Sequence, residues 1–183
     1  MKKSKLLLTL SFISVLSLTS CGNSIKTFSN NVNKSIKKVV KVEETTTITD
    51  KGIEVYKQTK NIDLHYEGKV VSGVVNIKEY NLSSNFNYVE TTSSDSFEGE
   101  SKNVKFSHII SKDYFEEYTL EKGVLIGKVS KDYAKEYFSV ESIDCASSID
   151  VSISLEEKNI SSYAYSYLTS TNKTVSTNVI YSY

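Results

Sequence analysis

Two hydrophobic periods divide the chain. Val32, Ile36, Val39 and Val40 follow one another at spacings of 4, 3 and 1, which is the apolar stripe of an amphipathic helix. Ser29 or Asn30 is placed to cap its start. Lys34, Lys37, Lys38 and Lys41 fall off the stripe, either as the solvated face of a helix packed on a sheet or over anionic lipid headgroups. After Glu43 the period drops to two. Residues 45–49 are a β-branched run that ends at the turn Asp50-Lys51-Gly52. Ile53, Val55 and Lys57 alternate with Glu54, Tyr56 and Gln58, and Ile62, Leu64 and Tyr66 with Asp63, His65 and Glu67, up to Glu67-Gly68-Lys69.

The same reasoning predicts a strand over 74–80 and another over 85–92, where Phe86 and Tyr88 share one side. A polar tip follows at Ser93-Ser94-Asp95-Ser96, then Val104, Phe106, His108 and Ile110 line one face of an extended run. Residues 114–120 and 124–129 form a hairpin around Glu121-Lys122-Gly123. Tyr133, Ala134, Tyr137, Phe138 and Ile143 fit an amphipathic helix within an otherwise ambiguous stretch, 131–147. Strands return at 149–155, 160–168 and 175–183, with Asn172-Lys173 between the last two. No strand carries the long apolar run of a parallel sheet covered on both faces, so the predicted sheet is antiparallel with one face wet or turned to a ligand.

The first twenty residues follow another logic. Lys2, Lys3 and Lys5 precede an apolar run over 6–18. Thirteen helical residues rise about 20 Å, too short for a hydrocarbon core of about 30 Å, so the run reads as the apolar region of an export signal. Leu18-Thr19-Ser20-Cys21 then resembles the lipobox of bacterial lipoproteins. The resemblance implies cleavage after residue 20 and a diacylglyceryl thioether on Cys21. It also implies an extracytoplasmic protein held on the cell membrane. The expected organisation is a signal peptide over 1–20, a lipidated tether over 21–29 and one mostly-β domain over 30–183.

Composition narrows the function classes. All 22 basic residues are Lys, and the chain has no Arg, Pro or Trp, the skew of an AT-rich coding sequence from a low-GC, single-membrane bacterium. Without Arg there is no bidentate clamp for phosphate or carboxylate. Loss of Lys2, Lys3 and Lys5 with the signal leaves 19 basic and 22 acidic residues, so no basic footprint for nucleic acid is expected. With Cys21 committed to lipid, Cys145 has no partner for a disulfide and reads as a small buried hydrophobe rather than a nucleophile.

Candidate chemistry is sparse. Asp63, His65 and Glu67 point the same way from one strand, an arrangement that suits a divalent metal or an acid–base pair, and equally the polar face of a half-buried strand. His108 sits on an apolar face, where a core or rim role is expected. Glu116 and Glu117, beside Tyr114 and Tyr118, face opposite ways in a strand and do not form a carboxylate pair. Thirteen tyrosines are present, with Tyr163, Tyr165 and Tyr167 on one strand face and Tyr181 and Tyr183 on another. Tyr offers a flat apolar body with a polar tip, suited to amphipathic ligands as well as to cross-strand packing.

Together these features predict an α+β, mostly β fold: one curved antiparallel sheet with an N-terminal amphipathic helix packed on it. Anchor, helix and aromatic sheet are similar to the half-barrel of the lipoprotein-carrier class, in which a curved sheet shelters acyl chains. The anchor, the strand pattern and the lack of a catalytic motif in the sequence lead to the expectation of a non-enzymatic lipoprotein, without cofactor, that binds an apolar or amphipathic ligand or an envelope component. The alternatives are a structural or adhesive surface protein with a closed core, and an extracytoplasmic hydrolase built around His65 or His108.

Overall fold

The structure, a computed structural model, describes residues 21–183, with side chains from Ile25 onward. The expected signal peptide, residues 1–20, lies outside the described residues, as does the side chain of Cys21.

Helix α1 (Cys21–Ser35) runs into a single 3-10 turn over Ile36–Lys38. The chain then enters β1 (Lys41–Asp50), β2 (Ile53–Glu67), β3 (Val70–Leu82) and β4 (Tyr88–Glu100). An irregular stretch leads to β5 (Phe115–Glu121) and β6 (Val124–Val129). The short helix α2 (Ala134–Phe138) precedes β7 (Ile149–Glu156), β8 (Asn159–Leu168) and β9 (Thr174–Ser182). All nine strands form one antiparallel sheet in the order β4-β3-β2-β1-β9-β8-β7-β6-β5. The sheet is open, with β4 and β5 at its edges, so the mostly-β, helix-on-sheet architecture expected from the sequence is the observed one.

The helix packs through Ile25, Phe28, Val32, Ile36 and Val39, all buried. Ser35 fixes its far end: its hydroxyl donates to the Val32 carbonyl and accepts from the Ile160 amide, each at 3.0 Å. Two parts of the sequence reading are corrected at this point. The supposed tether over 21–29 is the first half of α1, because Ile25 and Phe28 extend the apolar stripe upstream by two turns. Val40 is exposed and already extended, since its amide donates to the Ser182 carbonyl at 2.9 Å and its carbonyl accepts from the Leu64 amide at 2.7 Å.

Two-residue turns close several hairpins. Lys51-Gly52 and Lys122-Gly123 both have positive φ at their two central positions (49° and 84°, 49° and 82°), the backbone of a type I′ turn. Glu157-Lys158 adopts the same signs (50° and 71°) without a glycine. On the concave face, curvature comes from two other glycines. A Cβ on Gly73 would lie 2.5 Å from the Asp63 carbonyl oxygen and 2.7 Å from the Phe97 ring; one on Gly127 would lie 2.7 Å from the Phe115 ring. An aromatic ring from the next strand covers each bare position, and bulges near Thr49, Glu117 and Leu155 add bend.

Three further expectations change. Ser93-Ser94-Asp95-Ser96 is the middle of β4, paired with Val74 through Ile77, not a tip. Solvent reaches all of β4, so an edge strand there carries the polarity of a loop; the actual turn lies at 83–87, with Phe86 at φ 58°. The run Val104, Phe106, His108, Ile110 is extended but unpaired, crossing over the concave face with Phe106 buried. The ambiguous stretch 131–147 holds only a 3-10 turn and the five residues of α2.

Candidate functional site

Register places one set of side chains on the concave face across the sheet. Ile62, Leu64 and Tyr66 continue through Val42, Tyr181 and Val179 to Tyr163, Ile153 and Leu125. The two ends of this face differ.

Toward β5–β9 the face is filled. Tyr163, Tyr165 and Tyr167 form a ladder with centroids 5.4 and 6.3 Å apart. The crossing segment and α2 lay their own rings over it. Phe106 meets Tyr163 edge-on at 5.3 Å, and Phe138 meets Tyr165 at 4.9 Å. His108 lies 4.7 Å from Tyr163 and stacks on Tyr137 at 5.5 Å. The Tyr137 and Tyr163 hydroxyls are 3.1 Å apart, satisfying each other inside the core. Tyr163 is 1% exposed, whereas Tyr165 and Tyr167 are half-buried. Burial lowers the His108 imidazole to a pKa of about 4, which keeps it neutral at physiological pH. Its Nδ1 is buried with no hydrogen-bond partner. The ring is thus used as an aromatic slab.

Toward β1–β4 the same face is mixed: Val42, Ile62, Leu64 and Tyr66 occupy one end of the strands, and the other end is hydrophilic. The Tyr56 hydroxyl and the Gln58 amide both donate to Glu79 Oε1, at 2.9 and 2.6 Å. Lys60 donates to Glu44 at 3.0 Å, and the Thr46 and Thr177 hydroxyls are 2.9 Å apart. The Gln58 and Tyr56 hydrogen bonds lower the Glu79 pKa, while burial and Glu79 push Tyr56 up to about 12. Neither group changes protonation near neutral pH, so this network holds position and offers hydrogen bonds rather than protons.

The sequence reading missed these residues. Their signal was the phase of Ile62, Leu64 and Tyr66: stepping back by two places Lys60, Gln58 and Tyr56 on the same face. The Ile53–Val55–Lys57 phase is interrupted by the bulge opposite Ile48 and Thr49.

Asp63, His65 and Glu67 do share a face, but it is the opposite, convex one, and all three are exposed. They lie beside Val74, Ser72 and Val70 of β3. Among the described residues no group of three His, Cys, Asp or Glu is placed to hold a metal ion. Glu116 accepts from the Ser148 hydroxyl at 2.8 Å and Glu117 pairs with Lys128 at 3.6 Å, so the two are engaged separately. Cys145 is half-buried; its thiol donates to the Ser147 carbonyl at 3.0 Å, and burial raises its pKa. Tyr181 is half-buried on the concave face, and the exposed Tyr183 donates to the Ile160 carbonyl at 2.8 Å.

No protein-family model matches the chain, and no curated protein does. Among solved structures it is similar to a redesigned beta barrel, at 6% identity over 83% of this chain and 97% of that one, TM-score 0.24. It is also similar to the redesigned beta barrels mFAP0 and mFAP1, each bound to DFHBI. Both are 9% identical, over 79% and 80% of this chain and 98% of theirs, with TM-scores of 0.23 and 0.22. Likeness at that level bears neither on barrel closure nor on a ligand.

Proposed function

We propose that the chain is a non-enzymatic extracytoplasmic lipoprotein, anchored to the cell membrane by lipid on Cys21, that binds a polar envelope component on its open half-sheet. The observation that carries this reading is the occupancy of the aromatic half. Phe106, His108, Tyr137 and Phe138 already cover the tyrosine ladder, leaving an acyl chain no apolar cleft there. What stays open is the hydrophilic end, lined by Tyr56, Gln58, Lys60, Glu44 and Glu79. This favours an envelope component over the apolar ligand that the lipoprotein-carrier resemblance implies.

Expression in a lipoprotein-processing bacterium tests both parts. The protein is expected in the detergent phase on phase separation, and Cys21→Ala is expected to lose the lipid mass. Native mass spectrometry after incubation with membrane-lipid extract should show only the anchor lipid. A further lipid-sized adduct, lost in Tyr165→Ala, would overturn the reading in favour of a lipid carrier. Retention on delipidated envelope should fall in the double variant Lys60→Ala, Glu79→Ala.

A further inference from the structure

The charge of the mature chain is unevenly distributed. Between Cys21 and Val42 there are five lysines, Lys26, Lys34, Lys37, Lys38 and Lys41, and no acidic residue. Lys41 pairs with Glu43. The other four are exposed, and among the described residues none has a carboxylate within ion-pair distance. The rest of the mature chain, with 14 lysines against 22 acidic residues, is acidic.

The geometry of α1 gives this charge a direction. Its apolar stripe is consumed by the sheet through Ile25, Phe28, Val32, Ile36 and Val39. The helix therefore has no apolar face left to insert into lipid, and its outward side is polar. At 100° per residue, Lys26, Asn30, Asn33 and Lys34 fall within an arc of about 100°. The 3-10 turn adds Lys37 and Lys38, both exposed.

We infer that the outward face of α1 is a second membrane contact, in which Lys26, Lys34, Lys37 and Lys38 rest on anionic phospholipid headgroups. This rests on the anchored-lipoprotein reading, because Cys21 begins the same helix. The span from Lys26 to Lys38 is about 18 Å at helical rise, longer than a Debye length of about 8 Å. All four lysines reach the headgroup field only if the helix lies in the plane of the membrane. The helix is then sandwiched between bilayer and sheet. The concave face looks toward the membrane, and the convex face, with Thr45, Thr47, Ser152, Ser166 and Ser176, looks away.

Lysine acylation on the lipidated full chain in vesicles tests this. With one part phosphatidylglycerol to three of phosphatidylcholine, Lys26, Lys34, Lys37 and Lys38 should react about fivefold more slowly than on pure phosphatidylcholine. Salt at 0.5 M should remove that protection, with ~4 Å of screening length left. Lys122 and Lys158, on exposed hairpins, should react alike in both. Equal reactivity of the four in both vesicles would overturn the inference. Flotation reports the anchor separately: a chain that fails to float with pure phosphatidylcholine contradicts the lipid on Cys21, whatever the labelling shows. The quadruple Lys→Gln variant changes only exposed side chains and should float unchanged while losing the composition dependence.

Discussion

Strands β6–β9 and strands β2–β4 belong to one hydrogen-bonded ladder, yet they are stabilised by different means. Leu125, Val129, Ile149, Ile153, Ile160 and Tyr163 are all at 0 or 1% exposure, under α1 and the aromatic cap. In the other group, strands of 15, 13 and 13 residues lie in sequence order, and every residue of β4 is exposed. Those strands are held by an unbroken backbone register and by cross-strand contacts such as Tyr56 and Gln58 with Glu79. A sheet can thus extend well past its hydrophobic core, and the extension is expected to open locally at lower free energy than the covered half.

The sharpest way to break this comparison is a pair of truncations. Leu125→Ala should cost about 2–5 kcal/mol in urea unfolding, whereas Val89→Ala, on exposed β4, should stay within about 0.5 kcal/mol. Comparable losses would mean that both halves share one core.

The second test concerns acid. A neutral buried imidazole with a pKa of about 4 takes up its proton less readily than an unfolded one near 6.5. Its contribution is fully present above pH 6.5 and is lost as pH falls toward 4, amounting to about 3 kcal/mol at the acid end. His108→Phe should therefore flatten the stability profile between pH 6.5 and 4, measured by denaturation at several pH values. An unchanged slope would assign the acid sensitivity elsewhere.

The smallest effect sits at the β7–β8 hairpin. Glu157 and Lys158 both hold a left-handed backbone without a glycine. Replacing them by Asn and Gly should stabilise the covered half by about 1 kcal/mol, visible as a shift in the urea midpoint. No gain would mean that the two side chains offset their backbone strain.

That same turn shows why part of the fold was legible in the sequence and part was not. Gly52 and Gly123 marked their hairpins because positive φ is cheapest for glycine, while Glu157-Lys158 gave no local sign. Alternation of Ile62, Leu64 and Tyr66 identified a face that runs unbroken back to Tyr56, but the opposite phase of Ile53 and Val55, set off by the bulge beyond Tyr56, hid Tyr56 and Gln58. The start of α1 was missed because Gly22, Asn23 and Ser24 are small and polar, although Ile25 and Phe28 already held the helical spacing. The tyrosine ladder was found as a face; that Phe106, His108 and Phe138 would close over it depends on a crossing segment whose path no periodicity records. Curvature at Gly73 and Gly127 depended on which rings lay opposite, a property of register rather than of composition.

The early burial of Ile25 has a further consequence. Nine flexible residues would let an anchored domain wander over roughly 16 Å, but the four steps from Cys21 to Ile25 are helical and advance only about 6 Å. A lipid on Cys21 would then fix the domain without slack, as a fitting on the cell surface rather than a float on a line. Its reach into the surroundings equals its own dimensions, about 50 Å for a strand as long as β2. Encounters with a target would take place in a thin layer over the membrane, where local abundance governs occupancy as strongly as intrinsic affinity does.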